Sequence, residues 1–267
     1  MQHDSLDVCI VASEADPLAR EVASSCARRG YAARILDVAS AARLYSISVG
    51  DGGAVVEPDI PMLLRLPPPK DARGSFDEAF SESECFAALF AAAALSTRPV
   101  INRPQSGSLS GRISQSSALT ALRSGDVSVV GEVFASAPPE PGKADAERVW
   151  CIQELTTFQT RLWPSSPNGR GPFRAKWLDA HLAYEMVVVL DQDAWRSTAV
   201  DLRGLELEER SVDLVSSLDL RFAVVTWAIS RSHSSAEFVR IDPYPSLTQV
   251  RGVWGNLGPA LLQALFP

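Results

Sequence analysis

The sequence predicts an α/β protein with a Rossmann-like N-terminal lobe, a β-rich middle and an α+β C-terminal lobe. Three observations carry this expectation. Asp7-Val-Cys-Ile-Val-Ala is a short apolar run followed by a capped helix and a second strand from Ala33, the order of a parallel β-α-β start. The proline-rich stretch Ala135-Ser-Ala-Pro-Pro-Glu-Pro-Gly-Lys then sets that half apart from later strand-like runs, as a linker or exposed loop. Near the C-terminus, Phe222–Ser230 and Ala236–Pro245 are β-rich runs joined by a short polar turn.

Each element has its own local reason. Ser13-Glu-Ala-Asp-Pro offers a capping side chain and a proline, which starts a helix expected from about Leu18 to Arg29, with Gly30 as its stop. The preceding turn has no glycines, so it is not a dinucleotide fingerprint. Leu63-Leu-Arg-Leu-Pro-Pro-Pro reads as a strand ended by prolines, which have no N–H for the ladder. Ser81–Ser96 is alanine-rich and helical in character, Pro99-Val-Ile-Asn-Arg-Pro is a short strand with a turn, and Ser114–Ser124 is a further helix closed by Gly125. Strands are expected over Arg148–Leu155, Thr157–Trp163 and Tyr184–Leu190, with a turn at Pro164-Ser-Ser-Pro-Asn-Gly-Arg-Gly-Pro. Helices over Leu205–Ser217 and Trp254–Phe266 complete the reading.

Composition narrows the function classes. A formal charge of −7 argues against a nucleic-acid partner, which needs a basic footprint. No apolar run reaches the roughly 18 residues of a membrane span. The N-terminal residues lack the basic start and apolar core of a signal peptide, so a cytoplasmic protein is expected. Cys9, Cys26, Cys85 and Cys151 are far apart and read as small buried hydrophobes; His3, His181 and His233 are equally scattered, without zinc-type spacing. Lysine occurs only at Lys70, Lys143 and Lys176, which limits the candidates for any lysine-to-phosphate contact. No G-x-S-x-G elbow is present. A homodimer is the commonest oligomer and is compatible with six tryptophans.

This order of segments resembles ATP-grasp proteins, particularly the peptide- and amino-acid-ligating members of the ribosomal-protein glutamate ligase type. Ile10-Val-Ala-Ser-Glu-Ala-Asp-Pro and Arg29-Gly-Tyr resemble the family's opening strand, acid-rich turn and helix stop. Leu64-Arg-Leu-Pro resembles its arginine-bearing strand, Val100-Ile-Asn-Arg-Pro its Asn-x-Pro segment, and Ser114–Gly125 the helix that follows. The resemblance implies lobes at 1–104, 105–177 and 178–267, with the central one shortened. It implies ATP and magnesium as cofactors of an active protein, and no cofactor where that chemistry is lost.

Such ligases phosphorylate a carboxylate with ATP, and an amine then attacks the acyl phosphate. The resemblance places Arg161, within Phe158-Gln-Thr-Arg-Leu-Trp, where a phosphate-binding lysine usually stands. It places Gly169 and Gly171, in Asn168-Gly-Arg-Gly, at the glycine-rich loop over the phosphates. A solvated hairpin is the other reading of these residues. Phe173-Arg-Ala-Lys-Trp-Leu resembles the hinge beside adenine, so Lys176 is a nucleotide candidate, with a surface lysine as the alternative. Acidic side chains on the last two strands would hold magnesium, a hard ion that prefers oxygen. Those positions fall at Thr226, Arg240 and Asp242, so Asp242 is the remaining metal candidate. Arg240 and Asp242 share strand parity and are expected to form a salt bridge, with Glu237 on the opposite face.

Two function classes follow. One is a degenerate ATP-grasp-like protein, a pseudoenzyme that acts as a binding or regulatory partner, for instance of an active ligase. The alternative is an active, divergent ATP-dependent carboxylate–amine ligase of a peptide or amino acid, using Asp242 with Asp191, Asp193 or Asp201. An unrelated α/β protein is the third reading.

Overall fold

The computed structural model describes residues 6–65, 75–104, 132–137, 148–154, 160–162, 171–179, 183–197, 202–230 and 234–267. The predicted helix at 114–124, the proline-rich residues 138–143 and the turn at 164–170 lie outside them.

The first sheet is parallel, in the order β2-β1-β5-β6, from β1 (Val8–Val11), β2 (Ala33–Leu36), β5 (Met62–Leu64) and β6 (Val100–Ile101). Every residue of β1 is buried because both faces of this sheet are covered. Val8 and Ile10 pack toward one core, Cys9 and Val11 toward another. Helix α1 (Pro17–Arg28) connects β1 to β2, and its start is set by Asp16, whose carboxylate accepts the Leu18 and Ala19 N–H groups at 2.9 and 3.1 Å. The β-α-β start predicted from sequence is present.

Other parts of this lobe differ from expectation. Asp37 caps a short helix, α2 (Val38–Leu44), and a hairpin follows from β3 (Ser46–Gly50) and β4 (Gly53–Glu57). Neither was foreseen. Helix α3 (Phe76–Leu95) begins well before Ser81, because Ser75 and Glu78 form a reciprocal capping box. Of the four cysteines, Cys9 and Cys26 are buried, whereas Cys85 and Cys151 are only half-buried.

The central sheet is antiparallel, ordered β7-β10-β8-β9, from β7 (Glu132–Ala135), β8 (Arg148–Glu154), β9 (Thr160–Leu162) and β10 (Phe173–Asp179). The segment expected as a hinge is therefore an inner strand. Phe173 and Ala175 join Ile152 in a small core, while Arg174 and Lys176 occupy the alternate positions.

The third sheet, ordered β12-β11-β13-β14, is antiparallel: β11 (Ala183–Leu190), β12 (Asp193–Arg196), β13 (Phe222–Ile229) and β14 (Ala236–Asp242). One face packs on α4 (Leu207–Ser217) through Val225, Trp227 and Phe238. The other sends Val188, Leu190, Phe222 and Val224 into a core shared with β1, α1 and the closing helix α5 (Trp254–Leu265). The first and third sheets are thus fused.

Two buried polar residues stitch that junction. Arg65 donates to Asp16 at 2.9 Å and to the Pro245 carbonyl at 3.0 Å. The Asn102 amide donates to the carbonyls of Phe222 and Pro243 at 2.7 and 3.1 Å. These are the arginine after β5 and the asparagine of the Asn-x-Pro segment. Among the described residues, no helix is long and apolar enough to cross a membrane.

Candidate functional site

The site forms where the central sheet meets the edge of the third. Alternation on β10 puts Arg174 and Lys176 on one face, opposite Gln153 and Cys151 of β8 and Phe134 and Glu132 of β7. Both cations are buried. Arg174 forms an ion pair with Glu132, which leaves Lys176 to find a partner elsewhere. Its ammonium donates to the Val239 carbonyl of β14 and stands 5.8 Å from the centre of the Phe238 ring. Burial, with the neighbouring Arg174, pushes the Lys176 pKa down to about 7.

A β-bulge makes the Val239 carbonyl available. Thr226 of β13 pairs with Arg240, but the next residue, Trp227, pairs with Phe238, so Val239 is an extra residue in the edge strand. The bulge also resets the parity of β14. Ala236, Phe238 and Ile241 all pack into the α4 core. Glu237, Arg240 and Asp242 pair with Ala228, Thr226 and Val224, alternate residues of β13 that share one face. Glu237 therefore lies on the face of Arg240 and Asp242, contrary to the parity counted from sequence.

The expected Arg240–Asp242 salt bridge is also not formed. Asp242 accepts the Tyr244 N–H at 2.9 Å and the Gln249 side-chain amide at 3.3 Å, which fastens the chain after β14. Arg240 is exposed, and no carboxylate pairs with it among the described residues. Its charge reaches into the site, favouring the thiolate of Cys151, although burial dominates and raises that thiol's pKa. The Thr226 hydroxyl is buried on the same face and has no hydrogen-bond partner among the described residues.

Solved structures share this fold over essentially the whole chain. The ATP-grasp ligase PsnB, complexed with the precursor peptide PsnA2 and AMPPNP, superposes with a TM-score of 0.65 at 16% identity, covering 99% of this chain and 100% of that one. The macrocyclase MdnC from Microcystis aeruginosa, bound to the precursor peptide MdnA, gives 0.66 at 10% identity, with 98% and 99% covered. A RimK domain ATP-grasp protein from Sphaerobacter thermophilus gives 0.59 at 13% identity, with 98% and 100% covered. The chain has the ATP-grasp fold. No family model matches its sequence, and no curated protein matches it by sequence.

The ATP-grasp candidates fall in different places. Lys176 lies at the heart of the site, facing β14. Arg161 sits on β9 in the ladder row of Ile152, one step out of phase with the Cys151–Lys176 row. Gly169 lies outside the described residues. Gly171 has φ +70°, and a Cβ there would stand 2.6 Å from the Ser136 carbonyl oxygen, so the backbone itself demands glycine. Asp242 is on the site face but committed to Tyr244 and Gln249. Sequence reading missed the Arg174–Glu132 pair, for which alternation along 173–176 was the available signal, and the Val239 bulge, for which there was none.

The donor set does not suit magnesium. That ion needs several oxygen ligands in near-octahedral array. The three positions carry a neutral hydroxyl, a guanidinium and a carboxylate already bonded to its own loop. Among the described residues, no cluster of three or more His, Cys, Asp or Glu could hold a metal ion.

Proposed function

We propose that this ATP-grasp-fold protein has lost magnesium-dependent ligation and serves as a peptide-binding or regulatory partner. The observation that carries the reading is Arg240 opposite Thr226, a cation on the strand pair expected to hold a divalent ion. Repulsion at such short range raises the cost of bringing a second cation there, most of all where solvent is excluded. The peptide class is supported by PsnB and MdnC, which were solved with precursor peptides. The reading keeps the lobes at 1–104, 105–177 and 178–267, a cytoplasmic location and a homodimer as parts of the proposal.

The second reading, an active divergent ligase using ATP and magnesium, is favoured by the near-complete coverage of solved ligases, one of which carries magnesium and ADP. A turnover assay separates the two. Purified protein with ATP, magnesium and a panel of acidic peptides should release no ADP above background. Peptide-dependent ADP release that Asp242→Ala abolishes would establish the ligase instead.

A further inference from the structure

We infer that the outer end of the first lobe, formed by the start of α3 and the tip of the β3–β4 hairpin, docks a basic amphipathic segment of a partner protein. Cys9 and Val11 of β1 point toward the core beneath this face, whereas Val8 and Ile10 point toward the core shared with the third sheet. Both elements leave the first of these cores still apolar. Ile47 and Val56, paired across the hairpin, pack into it, and the next pair on the same face, Val49 and Ala54, is exposed. Phe86 and Phe90 anchor the second half of α3 in that core, but residues 75–84 are all exposed, about 15 Å of helix by its rise per residue. Phe76 is 85% exposed and Phe80 58%, and their spacing of four puts them side by side. Three turns of helix that bury nothing are marginal in water, and an apolar pair displayed on them is the mark of a contact with another molecule.

Charge decides which molecule. Segments 46–57 and 75–95 hold six acids, Asp51, Glu57, Asp77, Glu78, Glu82 and Glu84, and no lysine or arginine. None of the six forms an ion pair among the described residues. Asp77 and Glu84 border the Phe76–Phe80 pair on one side, and Glu78 and Glu82 lie further round the same turns. A second copy that docks here by twofold symmetry presents the same patch, so carboxylates meet carboxylates. An anionic lipid surface is repelled for the same reason. A helix with leucine-type anchors on one face and lysine or arginine beside them answers both features. Its anchors cover the two phenylalanines, and its cations meet the acids at the rim.

Fluorescence anisotropy with the full chain tests this, using two labelled peptides of equal length patterned as amphipathic helices, one of leucine and lysine and one of leucine and glutamate. The leucine–lysine peptide should bind and the leucine–glutamate peptide should not. Replacing both Phe76→Ser and Phe80→Ser should weaken binding about tenfold or more, the scale of two apolar anchors uncovered. Replacing Asp77→Asn and Glu84→Gln should weaken it severalfold and reduce its sensitivity to salt. All four side chains are exposed, so the unliganded melting temperature of each variant should match the parent, which separates lost binding from lost fold. Equal binding of both peptides, no binding of either, or binding indifferent to the phenylalanines overturns the proposal. Sedimentation excludes the other occupants. A dimer that the phenylalanine variant loses, or phenylalanine-dependent pelleting with phosphatidylglycerol vesicles, would assign the face to a second copy or to lipid instead.

Discussion

Asn102 and Phe222, 120 residues apart, bind each other as a strand residue binds its ladder partner: the Asn102 side-chain oxygen accepts the Phe222 N–H at 2.9 Å, and its amide donates to the Phe222 carbonyl at 2.7 Å. The same side chain also accepts the Arg221 N–H at 3.1 Å and donates to the Pro243 carbonyl at 3.1 Å. One buried amide thus holds the first sheet to both last strands of the third. Asn102 has φ +55°, a conformation asparagine tolerates better than most residues.

Asn102→Ala should therefore lower stability by about 2–4 kcal/mol, since it leaves several buried backbone groups unpaired. Asn102→Gly should lose about 1 kcal/mol less, because glycine removes the left-handed strain. Urea denaturation of both variants checks the order as well as the size.

Arg65 ties Asp16 to the Pro245 carbonyl from a nearly buried position. Arg65→Ala should cost about 3 kcal/mol, toward the low end for breaking a buried pair, because Asp16 keeps its helix-capping bonds. Asp16→Asn should cost less, since the amide oxygen can still cap α1. A greater loss for Asp16→Asn than for Arg65→Ala would contradict this division.

Lys176 predicts a pH dependence with a definite sign. Burial sets its folded pKa at about 7 against 10.5 ordinarily. Between those values the unfolded chain holds a proton that the folded chain has released, so stability rises with pH. Below about 7 both states are protonated, the full burial penalty applies, and this contribution no longer varies. Urea midpoints at pH 6.5, 8.5 and 9.5 should climb in the parent, and Lys176→Met should flatten that climb.

Gly171→Ala should destabilise the protein by roughly 2 kcal/mol or more, because the new methyl meets the Ser136 carbonyl and φ is +70°. The loss should appear in the unliganded protein. A variant of parental stability would mean that the glycine is not required by the backbone.

Much of the fold was legible because local chemistry and tertiary packing agree. The β1-α1-β2 start follows from apolar β-branched residues, an aspartate before a proline, and Gly30. The run at 222–229 was legible because a strand buried on both faces is nearly all apolar, Thr226 being its one polar residue. The early start of α3 was also readable, from Ser75 and Glu78 three residues apart. The β3–β4 hairpin was harder to read, since much of its surface is exposed and its sequence carries little alternation. At the site, Lys176 stands on an inner strand rather than the expected hinge, because a cation alternating with Phe173 and Ala175 reads as a surface until its partners are known.

Sequence alone determined a parallel β-α-β start and a strand pair near the C-terminus, with Thr226, Arg240 and Asp242 on that pair. Only the tertiary structure decided what those residues face. A single extra residue at Val239 turns Glu237 onto their side and exposes a carbonyl for Lys176, while Asp242 bonds to the Tyr244 N–H and the Gln249 amide instead of to Arg240. Side-chain direction along a strand repeats every two residues, so one bulge reverses the assignment of faces on one side of it, and pairing across strands rather than composition sets where a bulge falls.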